Sequence, residues 1–232
     1  MSAHSKPAFD NSLFTFFEEL KRNNEREWFQ ANKSRYESQV VNPLLDFIVE
    51  IATPLEKISP FYDAIPKKTG GSMFRIYKDV RFSKDKTPYK EHAACHFRHR
   101  AGKDAHAPGF YVHLGTDGIV LGGGIWQPPS DILFKIRDRI RQKPNEWESL
   151  IKNRTIKKVF GGIDGDQLIR PPKGFDKELA FIEDIKRKSF FVMRKESTEF
   201  ALEADFTKEV AKTFKASSPL MTFICKSIGV GF

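Results

Sequence analysis

An α+β fold, with a mainly antiparallel sheet from the central region flanked by helices from the N- and C-terminal regions, follows from three observations. Apolar residues recur at helical spacing through the first sixty positions and again from about position 130. Between them the chain breaks into short β-rich runs bounded by turn residues. Two of those runs are separated only by Thr116-Asp117-Gly118, a loop short enough for an antiparallel hairpin.

The helical beginning is read from Phe9, Leu13, Phe16, Phe17 and Leu20, with Asp10 or Asn11 as the cap. Asn24 followed by Glu27 has the form of a capping box and predicts a second helix, with Trp28 or Phe29, Tyr36 and Val40 as its apolar stripe. Asn42-Pro43 reads as a cap and first-turn proline opening a third helix, which Pro54 and Pro60 close. Strands are predicted over 73–82, 92–99, 110–115 and 119–126, with a further one over 189–194. Ile132, Leu133, Ile136 and Ile140 line a helix opening at Ser130, and another helix covers 145–152. The glycines and prolines of 161–175 mark a long irregular connection. Two helices end the chain, the last opening at Ser218-Pro219. No linker divides the 232 residues, so one domain is expected over 1–232, with residues 1–8 as a disordered tail.

Composition narrows the function classes. Hydrophobic residues make up 40% of the chain and 22 are Phe, enough for a core filled by large rings. The net charge of +9 arises from 39 basic residues against 30 acidic ones, a diffuse excess that attracts polyanions without selecting one. Cys95 and Cys225 form no disulfide framework, and Cys95 alternates with Ala93 and Phe97 as a buried thiol would. The first residues lack the apolar stretch of a signal peptide, and no run reaches the ~18 apolar residues that span a bilayer. A cytoplasmic protein without a membrane partner is the expectation.

The candidate site is the stretch 75–90. It carries Arg75, Lys78, Arg81, Lys84, Lys86 and Lys90 against Asp79 and Asp85, with Tyr77, Phe82 and Tyr89 among them. As a strand over 73–82 it puts Phe74, Ile76, Val80 and Phe82 on a core face with Lys78, and Arg75, Tyr77, Asp79 and Arg81 on the other. Arginine forks suit bidentate recognition of phosphate or carboxylate, and Lys84, Lys86 and Lys90 act as point charges. Asp79 orients the arginines or serves as a catalytic base. Tyr89 and Tyr111 can close the pocket, with His113 on the same strand face as Tyr111. Pro88 holds the flanking lysines by fixing the local backbone. The same charges also fit a structural ion-pair network.

Other motifs are set aside. Ser83-Lys84-Asp85-Lys86 and Lys68-Thr69-Gly70 match fragments of the penicillin-binding signature, in the wrong order and without Ser-Asp-Asn. Gly122-Gly123-Gly124 forms neither a dinucleotide nor a Walker loop, and instead permits a bend or the close approach of a chain or ligand. His92, His96 and His113 can share a sheet face, but no cysteine or paired carboxylate stands beside them at ligand spacing, so no metal site is assigned.

Arg26-Glu27-Trp28-Phe29, the run from Arg75 to Lys90, Tyr111-Val112-His113, Gly122 to Trp126 with Arg137 and Ile140, and Lys186 to Phe190 are together similar to the hallmarks of a family. Over nearly its whole length the chain resembles the domain-of-unknown-function 2461 family of hypothetical proteins. That resemblance supplies no catalytic assignment and leaves the cofactors unknown. The leading expectation is therefore chemical: an anionic small molecule, phosphorylated in the simplest case, bound around 75–90 with or without turnover. A nucleic-acid-binding module is the alternative, since basic residues interleaved with aromatics also contact phosphates and stack bases. A structural or interaction protein without catalysis is the third.

Overall fold

The computed structural model describes residues 7–81, 83–102 and 106–232. Its architecture is α+β, a four-stranded antiparallel sheet from the central region flanked by N- and C-terminal helices. Of the expected tail, residues 1–6 lie outside the described residues, and Ala8 already packs against the core.

Helix α1 (Asn11–Arg22) starts where Asp10 accepts a hydrogen bond from the Ser12 amide at 2.8 Å, and it buries Leu13, Phe16, Phe17 and Leu20. Helix α2 (Arg26–Ala31) does not use the predicted capping box, because its cap is Glu25 and no side chain closes it. Asn24 is recruited elsewhere: its Nδ2 donates to the Tyr89 carbonyl and to Glu91, and its Oδ1 accepts from the Tyr89 amide. A long-range clamp has displaced a local cap.

Helix α3 (Lys33–Tyr36) runs through a π turn (Glu37–Val41) directly into α4 (Asn42–Ile58), so Asn42 caps nothing and has helical dihedrals. Pro43 has no N–H for the carbonyl four residues back, and the π turn absorbs that missing bond. Pro54 likewise sits inside α4 rather than ending it. The Glu50 carbonyl it leaves without a donor belongs to an exposed residue, while Phe47, Ile48, Ile51 and Leu55 are buried.

The sheet has the order β1 (His92–Arg98), β2 (Gly109–Gly115), β3 (Gly118–Ile125), β4 (Phe190–Glu196). Thr116 and Asp117 connect β2 to β3 with Gly115 opposite Gly118. The β3–β4 connection carries α5 (Ser130–Gln142), α6 (Pro144–Ile151), α7 (Arg154–Phe160) and α8 (Ile182–Ile185). After β4 the chain enters α9 (Phe206–Ile228), one 23-residue helix in place of the two expected. Pro219 lies within it, at a cost of roughly 3 kcal/mol for an interior proline. Burial of Phe214, Ser217, Leu220 and Met221 on either side outweighs that cost.

Strict alternation divides the sheet. One face buries Cys95, Phe97, Phe110, Val112, Leu114, Ile119, Leu121, Phe190 and Val192. Helix α9 packs on β3, and Gly123 permits the approach: a Cβ there would sit 2.8 Å from Ser217 Oγ. The other face carries His92, His96, Tyr111, His113, Phe191 and Met193, all half-buried.

The predicted strand over 73–82 is not one strand. Its beginning lies along the edge of β1, with Met73 bridged to Cys95 and Phe74 N–H donating to the Ala94 carbonyl at 2.9 Å. The chain then bends and pairs with its own continuation, Tyr77 against Tyr89, with Lys90 N–H donating to the Ile76 carbonyl at 2.7 Å. Burial consequently falls on Met73 and Ile76, three positions apart, while Phe74 and Val80 are only half-buried. Phe82 lies outside the described residues. The bend breaks the alternation because Tyr89, 2% exposed, is pulled into the core, where it stacks on Phe29 at 4.2 Å.

Candidate functional site

The basic motif splits into three environments. Tyr89 belongs to the core, clamped by Asn24 and stacked on Phe29. Its role is to anchor the arm.

Asp79, Arg81, Lys84 and Lys86 lie on an exposed outer loop. Arg81 grips Asp79 through two bonds, Nε to Oδ1 at 2.9 Å and Nη2 to Oδ2 at 2.7 Å. The hydrogen bond from the Arg81 side chain, with a second from its backbone, holds the Asp79 carboxyl down at about 2. A carboxylate so acidic is a weak proton acceptor at neutral pH. Lys86 Nζ donates to the Val80 carbonyl at 3.0 Å. Asp85 accepts from Thr87 N–H and from Lys78 Nζ, both at 2.9 Å, which also lowers its carboxyl to about 2. The loop is cross-braced by its own charges.

Arg75 and Lys90 stand apart from that network, beside the half-buried sheet face. Lys90 Nζ donates to the Arg75 carbonyl at 3.0 Å and lies 5.3 Å from the centre of the Phe74 ring. Burial, and then the charge of Arg75, push the Lys90 ammonium below its ordinary value. Two like charges therefore stand side by side, the Lys90 ammonium half-buried and the Arg75 side chain exposed.

Two hollows open on this side. The smaller, about 190 Å³, is lined by residues 70–75 with His96 and Arg98. The larger, about 330 Å³, is lined by Phe74, His96, Tyr111, Trp126, Phe191 and Met193 above Gly109 and Gly124. Phe74 and His96 belong to both, so the hollows adjoin. Among the described residues lining either, none is acidic. Arg98 Nη2 donates to the Gly71 carbonyl at 3.4 Å.

Of the residues predicted from the sequence, Arg75 and Tyr111 line these hollows and Lys90 and His113 lie at their margin. Tyr111 OH is 3.4 Å from His113 Nδ1, and the His113 ring is 4.2 Å from that of His92. Burial raises the Tyr111 hydroxyl to about 12. Burial, followed by His113 and Lys90, depresses His92 to about 4, and burial lowers His113 as well. All three groups are held neutral near pH 7. Among the described residues, no three His, Cys, Asp or Glu side chains are grouped to hold a metal ion. Nor is any described helix long and apolar enough to cross a membrane.

Sequence reasoning assigned Phe74 to the core and overlooked Arg98, Trp126, Phe191 and Met193. A signal was present. His96 and Arg98 alternate on β1 as Tyr111 and Gly109 do on β2, and the register carries that row across Gly122 and Gly124 to Met193 and Phe191. Reading it required pairing β3 with a strand some seventy positions later.

A comparison with curated proteins and with solved structures returns no match. A family model described as "Conserved hypothetical protein (DUF2461)" matches residues 12–223. With nearly its whole length matched, the chain belongs to the DUF2461 family of conserved hypothetical proteins.

Proposed function

We propose that this protein binds an anionic small molecule in the smaller hollow, with Arg75 as the main contact to the anion and Lys90 supplying additional positive charge. The observation that carries this reading is the pairing of Arg75 and Lys90, with Lys90 Nζ on the Arg75 carbonyl and its ammonium disfavoured by burial and by the Arg75 charge, beside a hollow whose described lining has no carboxylate. An incoming anion relieves that repulsion. The arginine fork suits a phosphate or carboxylate group, and a phosphate exploits both cations most fully. Asp79 has no part in the reading, since its carboxylate is already engaged by Arg81 on the outer loop.

The outer loop supports a separate reading for itself, a charged brace that orders the arm. A thermal-shift panel of phosphorylated and carboxylated small molecules against wild type, Arg75→Ala and Lys84→Ala separates the two halves. Ligands should stabilise wild type and Lys84→Ala but not Arg75→Ala. Equal loss in both variants would point to bulk charge, and unchanged stabilisation in Arg75→Ala would remove the hollow from consideration.

A further inference from the structure

The larger hollow adds a second requirement to the ligand. At its base Gly109 on β2 pairs with Gly124 on β3, and neither raises a side chain of its own into the space above. Both positions resist substitution. A Cβ on Gly109 would come within 2.1 Å of His96 Nε2, and Gly124 has φ +155° with a would-be Cβ 2.3 Å from the Phe190 carbonyl. Both glycines are buried and the His96 ring leans over Gly109, so the space that remains is a slot bounded by rings rather than an open peptide surface.

The walls are mostly aromatic. On the β1 side the Phe74 and His96 rings lie parallel within 9° at 6.1 Å, and Tyr111 stands edge-on to Phe74. On the β4 side Trp126 and Phe191 lie 5.4 Å apart, with Trp126 half exposed to solvent. Aliphatic lining comes only from Ile125 and Met193 among the described residues. A slot between ring walls fits a planar ring, which can stack on or meet edge-on the rings at either side. A flexible alkyl chain forfeits those ring contacts and loses rotamer freedom on entry. Because Phe74 and His96 also border the smaller hollow, a ring seated here has the Arg75 hollow next to it.

We infer that the ligand is an aryl anion, a planar one- or two-ring system carrying a phosphate or carboxylate, with its ring in the slot between His96 and Tyr111 on one side and Trp126 and Phe191 on the other. This rests on the proposed anion site at Arg75 but makes a separable claim. The test is calorimetric titration of the full chain with four probes: 1-naphthyl phosphate, 1-naphthoate, octyl phosphate and 2-naphthol. One or both naphthyl anions should bind about tenfold or more tighter than octyl phosphate and than 2-naphthol. The tighter of the two identifies the anionic group. Octyl phosphate binding as tightly as the naphthyl anions overturns the aryl assignment and leaves the anion site standing. 2-Naphthol binding as tightly as either naphthyl anion overturns the anion site and leaves the ring slot. No binding by either naphthyl compound class overturns both.

Trp126→Leu and Phe191→Leu sharpen the result, since each keeps apolar bulk while removing a ring. Each should weaken the naphthyl anions about fivefold or more while leaving octyl phosphate within about twofold. Undiminished naphthyl binding in both variants, with wild-type melting midpoints, overturns the placement of the ring.

Discussion

Arg75 with Lys90 and Asp79 with Arg81 come from one basic stretch and share the same chemistry, yet they meet opposite surroundings. On the outer loop three of the cations are answered locally: Arg81 by Asp79, Lys78 by Asp85, Lys86 by a carbonyl. Beside the sheet, Lys90 has Arg75 for a neighbour and Phe74 beneath it. The difference lies in the scaffold. A free loop lets oppositely charged side chains two residues apart find each other, which satisfies them and leaves little for a ligand. A segment pinned to the edge of β1 holds its cations where a rigid sheet places them. Charge density alone does not distinguish a site from a brace; the backbone that carries it does.

The largest expected effect tests the anchor between these regions. Tyr89→Ala should destabilise the fold by about 3–5 kcal/mol in chemical denaturation, as loss of a buried aromatic ring does. Tyr77→Ala, removing a ring 55% exposed, should cost less than about 1 kcal/mol. Similar losses at the two positions would mean that the arm is not anchored through Tyr89.

Asn24→Ala follows. It removes both hydrogen bonds to the Tyr89 backbone and the one to Glu91, and should cost about 1–3 kcal/mol. The discriminating readout is amide exchange at Tyr89 and Lys90, which should accelerate more than exchange in the α2 helix that Asn24 was expected to cap. Faster exchange confined to Arg26–Ala31 would restore the capping box.

A pH dependence reports on the half-buried face. His92 is neutral in the fold down to about pH 4, whereas in the unfolded chain it takes up a proton below about 6.5. The unfolded state therefore holds more protons through that window. Stability falls as pH drops from about 6.5 to 4, and this contribution is flat below. After allowance for solvent at a group that is only partly enclosed, the loss is about 1–2 kcal/mol. His92→Gln should flatten the decline across that window. An unchanged slope would place His92 in a more hydrated setting than the one described.

These effects mark where sequence reasoning succeeds. The β1, β2 and β3 strands were legible because period-two alternation and the Thr116-Asp117 turn are local. So was β4, whose Phe190 and Val192 alternate with Phe191 and Met193. Pro54 and Pro219 misled because their local penalty is modest against burial that only the assembled core supplies. Asn24 misled for the same reason, a local motif outbid by a partner sixty-five positions away. Arg75, Lys90, Tyr111 and His113 became candidates by residue type. Their separation from Asp79, Arg81, Lys84 and Lys86 depends on the bend after Ile76, which unbroken alternation concealed.

The smallest expected effect is the one that most sharply divides the two halves of the motif. Asp79→Asn removes the charge that Arg81 grips, and it does so on a loop open to water. Both partners are well solvated without each other, so the melting midpoint should stay at the wild-type value at moderate ionic strength. Ligand stabilisation should also be retained, because Asp79 contributes nothing to the hollow at Arg75. Releasing Arg81 adds one cation to the outer loop, so any change in anion affinity should be a small increase that salt suppresses. Loss of turnover in Asp79→Asn with binding intact would return the carboxylate to the role of catalytic base. Loss of binding itself would mean that the outer loop folds over the ligand, and the brace would then be part of the site.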